Sequence, residues 1–205
     1  TIILAMKQIF REAGVTFSFI DENGSICCGR PLQLSGAHGS ARDLIRANEG
    51  LIRDSGARIL VTSCPICFKE FREQYNLDIE VLHHTQYILR LVEQGRIRLS
   101  RQETATVFHD PCDLGRGSKV YEEPRKLLQK FTVLESSAEE KAHSLCCGGS
   151  LGNIMLTTEQ RDAVREASLK VLLAKDPDIL VTACPLCKKT FNKGNDLPVK
   201  DIAEL

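Results

Sequence analysis

The architecture of this chain follows from Ile59-Leu60-Val61-Thr62-Ser63-Cys64-Pro65-Ile66-Cys67. The stretch recurs, with two substitutions, as Ile179-Leu180-Val181-Thr182-Ala183-Cys184-Pro185-Leu186-Cys187. A second motif repeats in step with it, since Cys27 lies 119 residues before Cys146 and Cys64 lies 120 residues before Cys184. A step shared by two separate motifs indicates an internal repeat, so we interpret the chain as two homologous halves.

The repeated stretch predicts a buried strand that leads directly into a helix. Short continuous apolar runs at 58–62 and 178–182 are typical of strands covered on both faces of a parallel sheet. Pro65 and Pro185 suit the first turn of a helix, where their missing N–H is not needed. Each C-x-x-C therefore spans a strand end and a helix amino terminus, whose free N–H groups and positive dipole end stabilise thiolates and negatively charged cofactors.

Helical and strand patterns alternate through both halves. Helices are predicted at 4–12, 41–54, 122–130 and 158–175, and His83-His84 is predicted to begin another. Further strands are predicted at 15–20, 106–109 and 132–134. This alternation predicts an α/β fold of two pseudo-symmetric tandem lobes, each a short parallel sheet flanked by helices. The repeat assigns the lobes to residues 1–102 and 103–205.

All nine cysteines belong to the repeated pattern. The first half carries Cys27, Cys28, Cys64 and Cys67, and the second half carries Cys112, Cys146, Cys147, Cys184 and Cys187. Adjacent and C-x-x-C pairs of this kind form a soft-metal ligand set. A step of 119 residues back from Cys112 leads to position −7, ahead of Thr1, so the first half lacks its counterpart. Relative to the repeat, we expect both ends of the chain to be truncated.

The number of thiols limits which metal the second half can hold. A structural zinc ion takes four ligands, and adjacent cysteines are awkward donors to one small ion. An ordinary [4Fe–4S] cube also takes four thiolates, whereas five are offered. The fifth must be spare, replaceable or a bridge between irons of an opened cluster, which indicates a cluster that does chemistry. Zinc in one lobe stays open as an alternative, because C-x-x-C pairs are also common zinc ligands.

Composition excludes several other classes of protein. The chain has 27 Lys and Arg against 27 Asp and Glu, with no basic run suited to nucleic acid or an anionic membrane surface. Its longest apolar stretches fall short of the roughly 20 residues that cross a bilayer. No secretory signal accompanies the cysteines, which disfavours a disulfide framework. A Cys/His hydrolase would need an exposed thiolate with no competing metal.

The cysteine motifs resemble the cysteine-rich CCG domain, named for its Cys-Cys-Gly. The matching residues are Cys112, Cys146-Cys147-Gly148, Cys184-Pro185-Leu186-Cys187, His109–Arg116 and Tyr121–Arg125. This domain occurs in the B and D subunits of heterodisulfide reductases and in the iron–sulfur subunits of glycolate, lactate and anaerobic glycerol-3-phosphate oxidoreductases. The resemblance covers essentially the whole chain and implies two tandem CCG domains, with non-cubane [4Fe–4S] chemistry in the reductases and electron relay in the dehydrogenase subunits. The departure is the missing first cysteine, which leaves the first site open between [4Fe–4S] and zinc.

Three hypotheses about function follow. In the first, the chain is an oxidoreductase subunit whose second-half cluster passes electrons to a disulfide or thiol-linked substrate. Cys147 is then the catalytic thiol, either bridging irons or leaving when the substrate sulfur arrives. In the second, the chain relays electrons while flavin or quinone chemistry takes place on a partner. In the third, it is a zinc-stabilised interaction module.

The residues near the ligands and the partners complete the predictions. Arg30 and Arg116 either offset cluster charge or are ordinary solvated side chains, and His109 either hydrogen-bonds near the cluster or packs at a strand end. We expect partner subunits of ferredoxin-like, flavin, or membrane quinone or haem type, and no nucleic acid. The expected location is cytoplasmic, with no membrane span of its own and any membrane link made through a partner.

Overall fold

The computed structural model describes residues 1–20, 22, 26–193 and 196–205. Its helices are α1 (Ile2–Glu12), α2 (Arg30–Leu34), α3 (His38–Asp54), α4 (Pro65–Glu73), α5 (His84–Glu93), α6 (Gly115–Ser118), α7 (Glu122–Gln129), α8 (Thr158–Leu172) and α9 (Pro185–Phe191). Its strands are β1 (Ile59–Thr62), β2 (Glu80–His83), β3 (Ala105–His109), β4 (Val133–Glu135), β5 (Ile179–Thr182) and β6 (Val199–Asp201). Short 3₁₀ turns lie at Lys141–His143, Leu151–Asn153 and Ile202–Glu204. The predicted α/β class is confirmed.

The strands form two parallel sheets that repeat the same unit. One sheet pairs β1 with β2, and the other has the order β4-β3-β5-β6. Thr62 lies opposite His83 in the first sheet, and Thr182 lies opposite Asp201 in the second. The pair β1–β2 is therefore the counterpart of β5–β6. All these pairs are parallel, so both C-x-x-C turns leave from the carboxyl ends of their sheets.

The prediction of a strand at 15–20 is wrong. The structure assigns no strand to these residues, which run as irregular chain after α1. By the repeat they correspond to β4, which is a strand because it pairs with β3. In the described part of the first half no strand takes the place of β3, so the segment has no ladder to join. Between it and β1 lies a cavity of about 740 Å³ that Val61, Cys64 and Cys67 help to line.

Other predicted boundaries were accurate to within a few residues. Helix α3 begins three residues before its predicted start, and α8 ends at Leu172 rather than at 175. Asp176 then adopts a positive φ of 56° ahead of Pro177, which cannot continue a helix. None of the described helices combines the length and apolar character that a bilayer crossing requires.

One apolar core joins the two halves. It includes Phe68, Ile88 and Leu89 from the first half and Leu114, Leu127 and Val181 from the second half. Helix α5 packs against α7 across this junction. Burial of the shared surface holds the two cysteine-bearing sheet ends in a fixed relation. The assignment of separate domains to 1–102 and 103–205 stays a prediction.

Candidate metal centre

The C-x-x-C motifs lie where the sequence predicted them, at strand-to-helix turns. Cys64 follows β1 and is the N-cap of α4, with Pro65 in its first turn. Cys184 follows β5 and is the N-cap of α9, with Pro185 in the same place. Both N-cap residues have extended backbone. In each motif the second cysteine follows three residues later, in the first turn of the helix.

The structure brings all five second-half cysteines into one continuous chain of thiols. Cys112 and Cys146 lie close enough for their thiols to shift each other's pKa, and the same holds for Cys146 and Cys147. Cys147 reaches Cys187, and Cys187 reaches Cys184. Cys147 is therefore the middle member, with two thiols on either side. We call these five residues the second site.

The second site is buried at one end and open at the other. Cys147, Cys184 and Cys187 expose 2%, 4% and 3% of their surface, whereas Cys112 and Cys146 are half-buried. Any group that reaches the site from solvent would first meet Cys112 and Cys146.

Two glycines allow the backbone to turn tightly around the sulfurs. The N–H of Gly148 donates to Cys146 Sγ at 3.4 Å, and the N–H of Gly149 donates to Cys147 Sγ at 3.4 Å. Gly148 has a φ of 84°, and a Cβ there would lie 2.5 Å from the carbonyl oxygen of Arg161. A Cβ on Gly149 would collide with Thr190 Oγ1. Both positions therefore require glycine.

The thiols of the second site share protons unequally. Hydrogen bonds from Cys112 and Cys147, together with the Gly148 N–H, lower the pKa of Cys146 far below its ordinary value. The hydrogen bond between Cys147 and Cys146 raises the pKa of Cys147 to about 12, and the separate contact between Cys112 and Cys146 raises the pKa of Cys112. One thiolate is thus stabilised by its protonated neighbours. Metal binding would release the remaining protons, because thiolates are the ligands.

A shell of polar contacts fixes the loop that carries Cys146. His109 Nε2 lies 3.1 Å from the carbonyl oxygen of Leu145, and its Nδ1 lies 3.3 Å from Thr182 Oγ1. Arg116 donates to the carbonyl oxygen of Ser144 at 2.5 Å. His109 therefore has both roles considered for it, since it bonds backbone beside Cys146 and packs edge-on against Phe191. Arg116 has a third role that the sequence did not suggest, because it holds the backbone of the same loop. Burial lowers the pKa of His109 to about 4.

The first site brings together three of its four cysteines. Cys28 and Cys64 each lie close enough to Cys67 for the thiols to shift each other's pKa, which repeats the Cys147–Cys187–Cys184 part of the second site. The contact with Cys67 and two backbone N–H groups lower the pKa of Cys64 to about 7. Cys27 is exposed, and its Sγ accepts the N–H of Gly29 at 3.4 Å. Among the described residues, no hydrogen bond joins Cys27 to another cysteine.

Two polar residues that sequence reasoning missed hold the first Cys-Cys pair. Tyr75 donates its hydroxyl to the carbonyl oxygen of Cys28 at 3.0 Å, and Asn48 donates to that of Cys27 at 2.9 Å. Asn48 also bonds the Tyr75 hydroxyl at 2.8 Å. Nearby, Arg30 lies 3.8 Å from the buried carboxylate of Glu70. No sequence signal marked Asn48 or Tyr75, because their partners lie 21 and 47 residues away.

The donor sets suit a cluster of several irons better than a single ion. In the described ranges, no three His, Cys, Asp or Glu side chains form a group that could hold one metal ion. The thiols instead adjoin one another in sequence, from Cys112 through Cys146, Cys147 and Cys187 to Cys184. Thiolates that bind separate irons of a cluster need not converge on one point. The second site therefore fits an iron–sulfur group.

The fold, the paired cysteines and the Cys-Cys-Gly loops define a family. The cysteine-rich domain family, CCG, matches residues 3–72 and 106–192, and the chain belongs to it.

Among the curated relatives is the D subunit of dihydromethanophenazine:CoB–CoM heterodisulfide reductase from Methanosarcina barkeri. It is 30% identical over 98% of this chain and 53% of its own length. EtfAB:quinone oxidoreductase from Syntrophomonas wolfei is 26% identical over 93% of the chain and 28% of its own length. An uncharacterized iron–sulfur protein from Methanococcus maripaludis is 28% identical over 92% of the chain and 40% of its own length. The chain thus spans about half the length or less of these relatives.

Proposed function

We propose that the chain is an iron–sulfur subunit of a heterodisulfide-reductase-like oxidoreductase. Its second site would hold a [4Fe–4S] cluster of non-cubane form and pass electrons to a disulfide or thiol-linked substrate. The observation that carries the proposal is the continuous chain of five thiols, one more than a cube needs. What such a cluster supplies is the uptake and release of single electrons.

Each thiol of the second site has its own part in this proposal. Cys184 and Cys187 anchor the group, because a strand and a helix fix their backbone. Cys147 is the candidate for the bridging ligand, because it has a thiol neighbour on either side. Cys112 and Cys146 face the open end, where a substrate sulfur would approach.

The relatives support this proposal through the reactions in their names. One is a reductase of the CoB–CoM heterodisulfide, and another is an iron–sulfur protein. This chain spans about half or less of each relative, and the first is named as a subunit, so we propose that the activity belongs to a larger assembly. We propose other electron-transfer subunits as partners, of ferredoxin-like, flavin or membrane quinone or haem type. The proposed location is cytoplasmic, with a partner providing any link to a membrane.

A relay role is the second candidate, and one observation favours it. Three of the five thiols in the second site are almost completely buried, which suits a cluster that exchanges electrons without touching a substrate. The similarity to EtfAB:quinone oxidoreductase agrees with this, because flavin and quinone chemistry would then take place on a partner.

We propose that the first site also holds metal, with one cysteine fewer than the second site. Cys28, Cys64 and Cys67 offer three adjoining thiols, and Cys27 is the fourth cysteine of the set. We propose that it holds [4Fe–4S] or zinc, and that a five-thiolate cluster forms only with an additional cysteine. Iron and zinc counts of a protein that begins at Thr1 test this, and full occupancy of a five-thiolate cluster would contradict it.

The deciding experiment combines metal analysis with a reaction in the absence of partners. Anaerobically purified chain is analysed for iron, sulfide and zinc and by visible and EPR spectroscopy. The reduced protein is then mixed with CoB–CoM heterodisulfide alone, or with a quinone analogue alone. Oxidation by the heterodisulfide with a new EPR signal supports the reductase proposal. Oxidation by the quinone analogue but not by the heterodisulfide supports the relay role. A protein that contains zinc and no iron overturns both the reductase and the relay proposals.

A further inference from the structure

A side-chain amide reaches the sulfur of Cys146 at the open end of the second site. Asn153 Nδ2 lies 3.5 Å from Cys146 Sγ, which also accepts the Gly148 N–H at 3.4 Å. The amide nitrogen carries two N–H donors and a thiolate sulfur only accepts, so the contact is an N–H···S hydrogen bond. Asn153 lies outside the cysteine motifs, seven residues after Cys146. The ligand sulfur therefore has a second donor that no motif supplies.

A short 3₁₀ turn, Leu151–Asn153, positions this amide. Ser150 is the N-cap of the turn. Its Oγ accepts a backbone N–H of the turn at 3.2 Å, and its carbonyl oxygen accepts the Asn153 N–H at 2.9 Å. Asn153 is half-buried, although Ile154 and Met155 directly after it are exposed. The turn is thus fixed by its own hydrogen bonds while it lies at the protein surface.

The first half has a different residue at the position that matches Asn153. The step of 119 residues that joins Cys27 to Cys146 leads from Asn153 back to Leu34. Leu34 is the last residue of helix α2, and its side chain has no group that can donate to sulfur. Cys27 Sγ does accept the Gly29 N–H at 3.4 Å, as Cys146 accepts the N–H of its own glycine. The two repeats share the backbone donor, whereas the amide at this position belongs to the second half.

We infer that Asn153 is a positioning residue that holds Cys146 Sγ as a ligand and raises the reduction potential of a cluster bound at the second site. The inference rests on the proposed function, in which this site holds an iron–sulfur cluster. A reduced cluster is more negative than an oxidised one, so hydrogen bonds to its ligand sulfurs stabilise the reduced form more. Cys146 is also one of the two half-buried cysteines of the site, so the bond secures a ligand that solvent can reach.

Two variants of Asn153 test its effect on the potential. Asn153→Leu removes the donor and introduces the residue found in the first half. Asn153→Asp keeps the shape of the side chain and replaces the donor by a negatively charged acceptor. The chain is reconstituted with iron and sulfide and titrated electrochemically while visible and EPR spectra are recorded. The signal of the second site is the one that Cys184→Ser abolishes. We expect its midpoint potential to fall in both variants, and further in Asn153→Asp.

Asn192→Leu and Asn192→Asp are the matched controls. The Asn192 amide donates to the carbonyl oxygen of Lys188 at 2.9 Å, so the same changes there remove a bond to backbone instead of a bond to sulfur. These controls should keep the wild-type potential. Asn153→Leu should also lose iron from the second site to a chelator roughly tenfold faster than wild type, since hydrogen bonds to charged groups are the strong ones. Wild-type potentials in both Asn153 variants, or equally large shifts in the Asn192 variants, would overturn the inference.

A measurement on metal-free protein separates this inference from the proposed function and needs no variant of Asn153. Hydrogen exchange of the Asn153 side-chain amide is followed by NMR in the wild type and in Cys146→Ala. The exchange should be several-fold faster in Cys146→Ala, because the sulfur acceptor is lost, while the Asn192 amide should exchange equally fast in both. An unchanged rate at Asn153 contradicts the inference. Wild type that binds no iron would defeat the proposed function, whatever the exchange rates are.

Discussion

Arg125 and Asp110 form a buried, two-point ion pair directly behind the second site. Arg125 Nη1 lies 2.6 Å from Asp110 Oδ1, and Nη2 lies 2.7 Å from Oδ2. Asp110 stands two residues before Cys112, and its Oδ2 also accepts the Lys141 N–H at 2.8 Å. The pair thereby ties α7 to the loop that leads into the second site.

Arg125→Met is expected to lower the free energy of unfolding by about 3–5 kcal/mol, because it leaves the Asp110 carboxylate buried without its partner. Urea unfolding followed by circular dichroism measures the change. Arg90→Met is the matched control. Arg90 makes the same two-point contact with Glu80, but on the surface, so its loss should cost less than about 1 kcal/mol. If both variants lost the same free energy of unfolding, burial of the Arg125–Asp110 pair would not contribute to stability.

Gly148→Ala is expected to destabilise the protein and to reduce the iron content of the second site. The alanine would have to adopt a positive φ and to displace the carbonyl oxygen of Arg161. Gly36→Ala isolates the first effect, because Gly36 has a φ of 80° and no atom near its would-be Cβ. We expect Gly36→Ala to lower the free energy of unfolding by about 1 kcal/mol and Gly148→Ala to lower it by more. Iron analysis and thermal unfolding of both variants provide the comparison, and similar losses would argue against crowding.

Cys147→Ser is expected to retain an iron–sulfur chromophore, with an altered EPR signal and lower disulfide-linked turnover. Cys146 and its neighbours still anchor the cluster, while the middle thiol of the chain is lost. Cys184→Ser should lose most of the cluster, because Cys184 is fixed at the strand-to-helix turn. Iron content, EPR spectra and turnover are measured for both. If Cys147→Ser equals wild type in all three, the fifth thiol is spare and the relay becomes the better interpretation.

Tyr75→Phe is expected to lower the free energy of unfolding by about 1–3 kcal/mol. The change removes the hydroxyl that bonds both the Asn48 amide and the carbonyl oxygen of Cys28. Tyr121→Phe is the matched control. Among the described residues the buried Tyr121 hydroxyl has no hydrogen-bond partner, so its removal should be neutral or slightly stabilising. Chemical denaturation of both variants tests the contrast. A loss for Tyr121→Phe as large as that for Tyr75→Phe would refute this account of the first site.

The stability of the protein is expected to fall as the pH drops from 6.5 towards 4. The pKa of His109 is lowered from 6.5 to about 4, so across this interval the unfolded chain binds a proton that the folded chain does not. The full shift corresponds to about 3 kcal/mol. His109→Gln, which can keep the bond to Leu145, should remove that part of the slope. Unfolding free energies at several pH values measure it, and an unchanged slope would contradict the assignment. His83, whose pKa is also lowered, accounts for part of the remainder.

The cysteine turns could be predicted because their signals are local. An apolar run, a cysteine and a proline in direct succession specify a strand, an N-cap and a first helical turn, and the repeat supplied a second copy of each. The segment 15–20 failed for the opposite reason, since a strand exists only when a neighbour pairs with it. Tyr75, Asn48 and the Asp110–Arg125 pair act through contacts between distant parts of the chain. Neither hydrophobic periodicity nor motif spacing contains such information.

The apolar core shared by the two halves has a consequence for how the gene can change. Phe68 and Leu89 of one repeat pack with Leu127 and Val181 of the other, so neither repeat carries a complete interior. Splitting the reading frame near residue 102 would yield two fragments that each expose this surface. A substitution in one repeat would also select for compensation in the other. Changes in the core of one half therefore constrain those in the other, although each half keeps its own set of cysteines.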